Sequence, residues 1–181
     1  MKILLDVDGV VADMLPYIIS YAKLEISIED IRHWNFFLDL NESDLVKAKE
    51  AMVSYDFWRS LPIIEGAHEG VKTLESYGHD VYWLTALYRP CLDYPRARIE
   101  WLEENFDVHQ DNIVITRTKA LVSGDIFIDD KIENLDSWAG ANKEGLAFLH
   151  EYHYNKDSPH HRFSWLDIPD FLKTQHTGYL I

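Results

Sequence analysis

Five short apolar runs, none of them alternating with polar residues, set the kind of sheet this chain can build. They cover residues 3–5, 81–84, 113–115, 126–128 and 146–149. A strand with one wet face alternates, so an uninterrupted run predicts a strand covered on both faces, as in parallel sheets. Between the runs the period changes. Ala67, Val71 and Leu74 recur at helical spacing, and Gly78 stands where that helix should end. Ala97, Trp101 and Leu102 share a second helical face, and Pro95 is placed to begin it. Strands alternating with helices predict an α/β fold, a Rossmann-like doubly wound parallel sheet with right-handed crossovers.

The alternation breaks once. Residues 6 to 80 are far more than one crossover helix needs. Within them, residues 14–64 read as several helices rich in aromatic side chains, which predicts a small helical cap inserted after strand one. The core would then be residues 1–13 and 65–181. Residues 175–181 read as a loosely ordered tail. At 181 residues, 47% of them hydrophobic, the chain can fill one core with such an appendage.

A net charge of -14 argues against a nucleic-acid polymer as partner. No run is long enough to span a bilayer, so no membrane partner is expected. The opening apolar run is too short for a signal peptide, and the single Cys91 cannot form an internal disulfide. A reducing, cytoplasmic setting is expected. His150, His153, His160 and His161 match no zinc spacing and read as solvated surface groups.

In open α/β sheets, ligands bind beyond the carboxyl ends of the strands. After the first run comes Asp6-Val7-Asp8-Gly9, and after the second comes Thr85. Lys119 follows the third, and Asp129-Asp130 the fourth. Each signal alone is weak, since an Asp-x-Asp after a strand is often a turn with capping carboxylates. Together they gather carboxylates, a hydroxyl and an ammonium at one rim. Asp6 and Asp8 are two apart and can point to one side of a strand end. Gly9 permits a sharp turn that brings amides near an anion. Crowded carboxylates call for a hard divalent cation, and Asp6 and Asp129 are its natural side-chain ligands. Lys119 would neutralise charge on Asp6 and on a bound phosphate, and Thr85 can donate to a phosphate oxygen.

The stretch Leu4-Leu5-Asp6-Val7-Asp8-Gly9-Val10-Val11-Ala12-Asp13 resembles the first motif of haloacid dehalogenase-type phosphatases. Leu84-Thr85, Lys119 and Ile128-Asp129-Asp130 resemble the second, third and fourth motifs. Within that superfamily the chain is most similar to the 5′(3′)-deoxyribonucleotidases. Phe57-Trp58-Arg59-Ser60-Leu61-Pro62 resembles their passage from cap to core. Two departures stand out: Ala86 and Leu87 where serine and proline are usual, and Thr118 where an acidic residue often precedes the lysine.

The resemblance implies a magnesium-dependent phosphomonoesterase acting on deoxynucleoside monophosphates. Asp6 would be the nucleophile and Asp8 the acid and base. Mg2+ would be held by Asp6, the Asp8 carbonyl and Asp129, with Asp130 supporting it from behind. Thr85 and Lys119 would hold the phosphate. Phe57 and Trp58, then Trp34 and Phe36, are candidates to meet the base. A second copy of the chain is a candidate partner. The rival readings are another small phosphate, such as a sugar phosphate or modified nucleotide, and a non-catalytic nucleotide- or protein-binding relative.

Overall fold

All five apolar runs become strands in the computed structural model, which describes residues 1–174. They are β1 (Lys2–Asp6), β2 (Asp80–Thr85), β3 (Ile113–Ile115), β4 (Ile126–Asp129) and β5 (Leu146–His150). A sixth, β6 (His161–Phe163), completes one sheet in the order β3-β2-β1-β4-β5-β6, with every pairing parallel. β6 had no apolar run to announce it. It pairs only with β5 at the sheet edge, and of its residues only Phe163 is buried. An edge strand needs one apolar face at most.

Three helices interleave with the strands: α4 (Ala67–Ser76), α5 (Tyr94–Phe106) and α6 (Ile132–Ala141). They explain the missing alternation. Ile3, Leu5, Val81, Trp83, Ile126 and Ile128 share a buried cluster with residues of α4 and α5. Leu4, Leu84, Phe127 and Leu149 cluster instead with Leu135 and Trp138 of α6. Both faces are dry, so both parities along each strand are apolar.

Between β1 and α4 lie α1 (Met14–Tyr21), α2 (Glu42–Met52), α3 (Tyr55–Arg59) and two single 3-10 turns. Asn41 and Ser54 accept from the first-turn amides of Asp44 and Asp56 and so start α2 and α3. This segment enters and leaves side by side: the Asp13 amide donates to Pro62 O and the Ile64 amide to Val11 O, both at 2.8 Å. Its apolar side chains are continuous with the sheet core, since Ile18, Phe57 and Trp58 belong to the same cluster as Trp83 and Trp101.

Of the four histidines read as solvated, His153 and His161 are exposed, His160 is partly covered, and His150 departs from the expectation. His150 ends β5 and is buried, because β6 and the chain after it cover that strand. His153 Nε2 lies 2.5 Å from Ile31 O, and His160 pairs with Asp136 at 2.8 Å. The expectation for residues 175–181 lies outside the described residues. Among the described residues no helix is long and apolar enough to cross a membrane.

Candidate active site

The strand order reverses between β1 and β4. From β1 the chain winds outward through β2 to β3, then returns to β4 and winds the other way. Beyond the carboxyl ends of those two strands lies the crevice where open α/β sheets bind ligands. Both strands end there in aspartate, Asp6 and Asp129.

After Asp6 the chain folds back at once. The amides of Val10, Val11 and Ala12 converge on Val7 O at 3.3, 3.0 and 2.9 Å. Gly9 has φ +79°, and a Cβ there would lie 2.5 Å from Asp130 Oδ2. Left-handed backbone and an overlying carboxylate both demand glycine.

Lys119 opens a 3-10 turn shortly after β3 and is buried. Its Nζ lies 2.6 Å from Asp6 Oδ1 and 2.7 Å from Asp129 Oδ2. Burial opposes its charge, but Asp129 and Asp6 outweigh that and raise it above the ordinary lysine range. Asp6 also accepts the Val7 amide at 2.8 Å. Burial first, then repulsion from Asp129, pushes Asp6 well above the usual carboxylate range. Burial and Asp129 likewise raise Asp130 to about 7. Asp130 accepts from Trp34 Nε1 at 3.2 Å and from the Tyr154 hydroxyl at 2.8 Å.

One oxygen from each of Asp6, Asp129 and Asp130 falls within 4.8 Å of the others. Three buried carboxylates around one ammonium form a hard-oxygen donor set with excess negative charge. That is the donor chemistry a divalent cation such as magnesium takes, and a cation would relieve the repulsion that raises Asp6 and Asp130.

Asp8 stands outside this group. Its carboxylate accepts from Arg98 Nη2 and, at 2.7 Å, from the Tyr94 hydroxyl. Thr85 ends β2 as expected, yet it is wholly buried and its hydroxyl lies 2.7 Å from that of Tyr94.

A cavity of about 280 Å³ opens over the cluster, with Asp6, Asp8, Lys119 and Asp130 in its lining. Trp34, Phe36 and Trp58 line it too, as do Phe37, Tyr88, Arg117, Tyr152 and Tyr154. Phe57 does not. It is wholly buried, with ring centroids of Tyr17, Tyr21 and Trp58 at 5.6, 5.4 and 4.9 Å, so it fills the hydrophobic core instead of meeting a ligand. Trp58 faces the cavity, but its indole N–H is tied to Met52 O at 2.7 Å. Trp34 is the most open of the four named rings, 46% exposed, with Lys131 Nζ 3.9 Å from its centroid.

Sequence reasoning missed Tyr152 and Tyr154, although they follow β5 just as Asp129-Asp130 completes β4. The rule that found the aspartates applied there equally. Tyr94 and Arg98 carried no such signal, because they reach the crevice only through the docking of α5.

The family of 5′ nucleotidase, deoxy (pyrimidine), cytosolic type C proteins matches residues 1–176. The chain belongs to this nucleotidase family. A 5′(3′)-deoxyribonucleotidase of Bacillus subtilis is 33% identical over 166 residues, covering 88% of this chain and 87% of the relative. The mitochondrial 5′(3′)-deoxyribonucleotidase of Mus musculus is 28% identical over 183 residues, covering 92% and 82%. The fold matches a haloacid dehalogenase-like hydrolase from Burkholderia xenovorans with TM-score 0.55 at 16% identity, covering 88% of each chain. A haloacid dehalogenase-family hydrolase from Deinococcus radiodurans gives 0.54 at 12% identity, covering 91% of each. This member of the nucleotidase family is therefore a phosphoric monoester hydrolase on a haloacid dehalogenase-like fold.

Proposed function

We propose that this nucleotidase hydrolyses deoxynucleoside monophosphates through a phosphoryl group carried on Asp6. The observation that bears most weight is the Lys119 bridge between Asp6 and Asp129 at the switch point, under a cavity walled by aromatic rings. Phosphate chemistry needs the first, and a flat base suits the second. The relatives' names point the same way.

In the first step an Asp6 carboxylate oxygen attacks phosphorus in line. The bond from phosphorus to the ester oxygen breaks, and that oxygen takes a proton from Asp8. In the second step water attacks the phosphoryl group, its proton passes to Asp8, and the Asp6 carboxylate departs. Lys119 offsets charge on the nucleophile and the phosphoryl oxygens, whereas Thr85, wholly buried and bonded to Tyr94, lies outside the cavity lining.

Magnesium, when bound, would neutralise charge on the phosphoryl oxygens. Asp6 and the Asp8 carbonyl stay among its proposed ligands. For the third, bonding favours Asp130 over the expected Asp129. Asp129 already accepts from Lys119, from Asn134 at 2.9 Å and from the Lys131 amide at 2.8 Å. Asp130 faces the cavity with two neutral donors. Asp129 is then the residue that holds Lys119. Residues 14–64 act as the cap that selects the leaving group, since its Trp34, Phe36 and Trp58 overlie the cluster. A cytoplasmic setting goes with this reading, in keeping with the buried free thiol of Cys91.

The test is phosphate release over a panel of deoxynucleoside, ribonucleoside and sugar monophosphates, with magnesium and then with EDTA. Deoxynucleotides should lead, chelation should stop release, and added magnesium should restore it. Quenched enzyme should carry phosphate on the Asp6 peptide, and Asp6→Asn should be inert. A sugar phosphate at the head of the panel would overturn the substrate, and an active Asp6→Asn the mechanism.

A further inference from the structure

Helix α5 buries a charge that the core has no structural need for. Arg98 is wholly buried, with its guanidinium carbon 5.7, 5.4 and 5.3 Å from the ring centroids of Trp58, Tyr94 and Trp101. Nη2 donates to Asp8 Oδ1. Among the described residues, Nε and Nη1 meet no acceptor. Buried polar groups are almost always paired, and a guanidinium offers five N–H donors. An apolar side chain in this aromatic box would avoid the desolvation penalty altogether, and such replacements of buried ion pairs are often neutral or stabilising. The one carboxylate that Arg98 serves is Asp8.

The second Asp8 oxygen is held as well. The Tyr94 hydroxyl lies 2.7 Å from Asp8 Oδ2 and 2.7 Å from Thr85 Oγ1. It has one proton and two acceptors at equal reach. While that proton points at Asp8, it fixes the orientation of the carboxylate in the cavity wall. Turned toward Thr85, it frees Oδ2 while Arg98 keeps Oδ1 in place.

We propose that Arg98 and Tyr94 are positioning residues for Asp8: Arg98 is the fixed half of a clamp and the Tyr94 hydroxyl the half that lets go. The inference rests on the reading of Asp8 as acid and base. It predicts a dependence on the leaving group. A nucleoside leaves as an alkoxide that needs a proton, whereas para-nitrophenol leaves readily without one. The later attack of water needs Asp8 for both substrates.

The variants are Tyr94→Phe, which keeps the ring, Arg98→Met, which fills the box without charge, and Arg98→Lys, which retains charge. On para-nitrophenyl phosphate, the first-turnover burst of nitrophenolate in Tyr94→Phe and Arg98→Met should stay near the wild-type rate. Steady turnover should fall about ten- to 100-fold, the cost of misplacing an acid–base group. On a deoxynucleotide both phases should fall, in kcat more than in KM. Arg98→Lys should recover part of the loss. Adding Tyr94→Phe to Asp8→Asn should cost nothing further. Loss of burst and steady turnover alike, unchanged kinetics, or an additive double variant would overturn the clamp. If Arg98→Met does not fold, Tyr94→Phe decides the matter alone. If Asp8→Asn itself shows no burst pattern, the acid–base reading has failed, which is a separate result from failure of the clamp.

Discussion

Replacing Lys119 by methionine removes the ammonium that bridges two of three clustered, buried carboxylates. Lys119, Asp6 and Asp129 are 4%, 8% and 0% exposed, and the two contacts are 2.6 and 2.7 Å. Breaking one partner out of a buried ion pair costs about 3 to 5 kcal/mol. For a chain of this length each kcal/mol moves the melting temperature about 2 to 4 °C, so the metal-free variant should melt about 6 to 20 °C below wild type. The loss should depend on pH in a set direction. Asp6 is already raised by burial and by Asp129, and losing Lys119 removes a neighbour that holds it down. A carboxyl raised in the fold binds more protons there than in the unfolded chain. Its stability contribution is complete below the unfolded value and is lost as pH rises through the folded one. The deficit should therefore be largest near pH 8, shrink toward pH 5, and shrink again when magnesium replaces the lost charge. Calorimetry in EDTA at several pH values, then with magnesium, measures all three. A melting temperature within about 2 °C of wild type at pH 8 would refute the reasoning, as would a deficit that grew in acid.

Trp34→Ala should lower kcat/KM for a deoxynucleotide about five- to 150-fold if the indole is the base platform, from about 1 to 3 kcal/mol of stacking. Trp34→Phe, which keeps a ring but loses the bond to Asp130, should fall much less, and equal losses in both would assign the effect to that bond. His150 is held down to about 4 by burial and then by Arg162, so the fold keeps it neutral. A lowered histidine stabilises above its unfolded value near 6.5, and that stability is lost as pH falls toward 4. Between pH 7.5 and 5 this group should remove about 2 kcal/mol. Urea unfolding of His150→Gln should show a correspondingly flatter pH response, and an unchanged response would count against it.

The sheet was legible because its signal is local. Residues 3–5, 81–84, 113–115, 126–128 and 146–149 had to be doubly covered whatever packed on them, and α4, α5 and α6 supply that cover. The ends of α4 and α5 were readable for the same reason, since Gly78 and Pro95 act through their own backbone. β6 was not readable, because an edge strand is recruited by the open edge of its neighbour more than by its own side chains.

Within the site, the sequence determined which groups could gather, and only the tertiary structure decided what each one faces. Asp6, Asp8, Thr85, Lys119, Asp129 and Asp130 were all singled out by one rule about strand ends. Position along the chain cannot say which oxygen meets which donor. That Asp129 is taken up by Lys119 and Asn134 while Asp130 faces the cavity depends on how α6 and the turn at Lys119 dock. The aromatic composition of residues 14–64 marked a wall of rings, yet packing alone sent Phe57 inward and left Trp34 open. Arg98 is the furthest case. Nothing in its sequence neighbourhood suggests a partner 90 positions away, and the contact with Asp8 exists only because α5 lies under the crevice. Periodicity and turn chemistry act over a few residues and survive in the sequence. Side-chain direction and shared hydrogen bonds are set by elements distant along the chain, and they appear only when those elements meet.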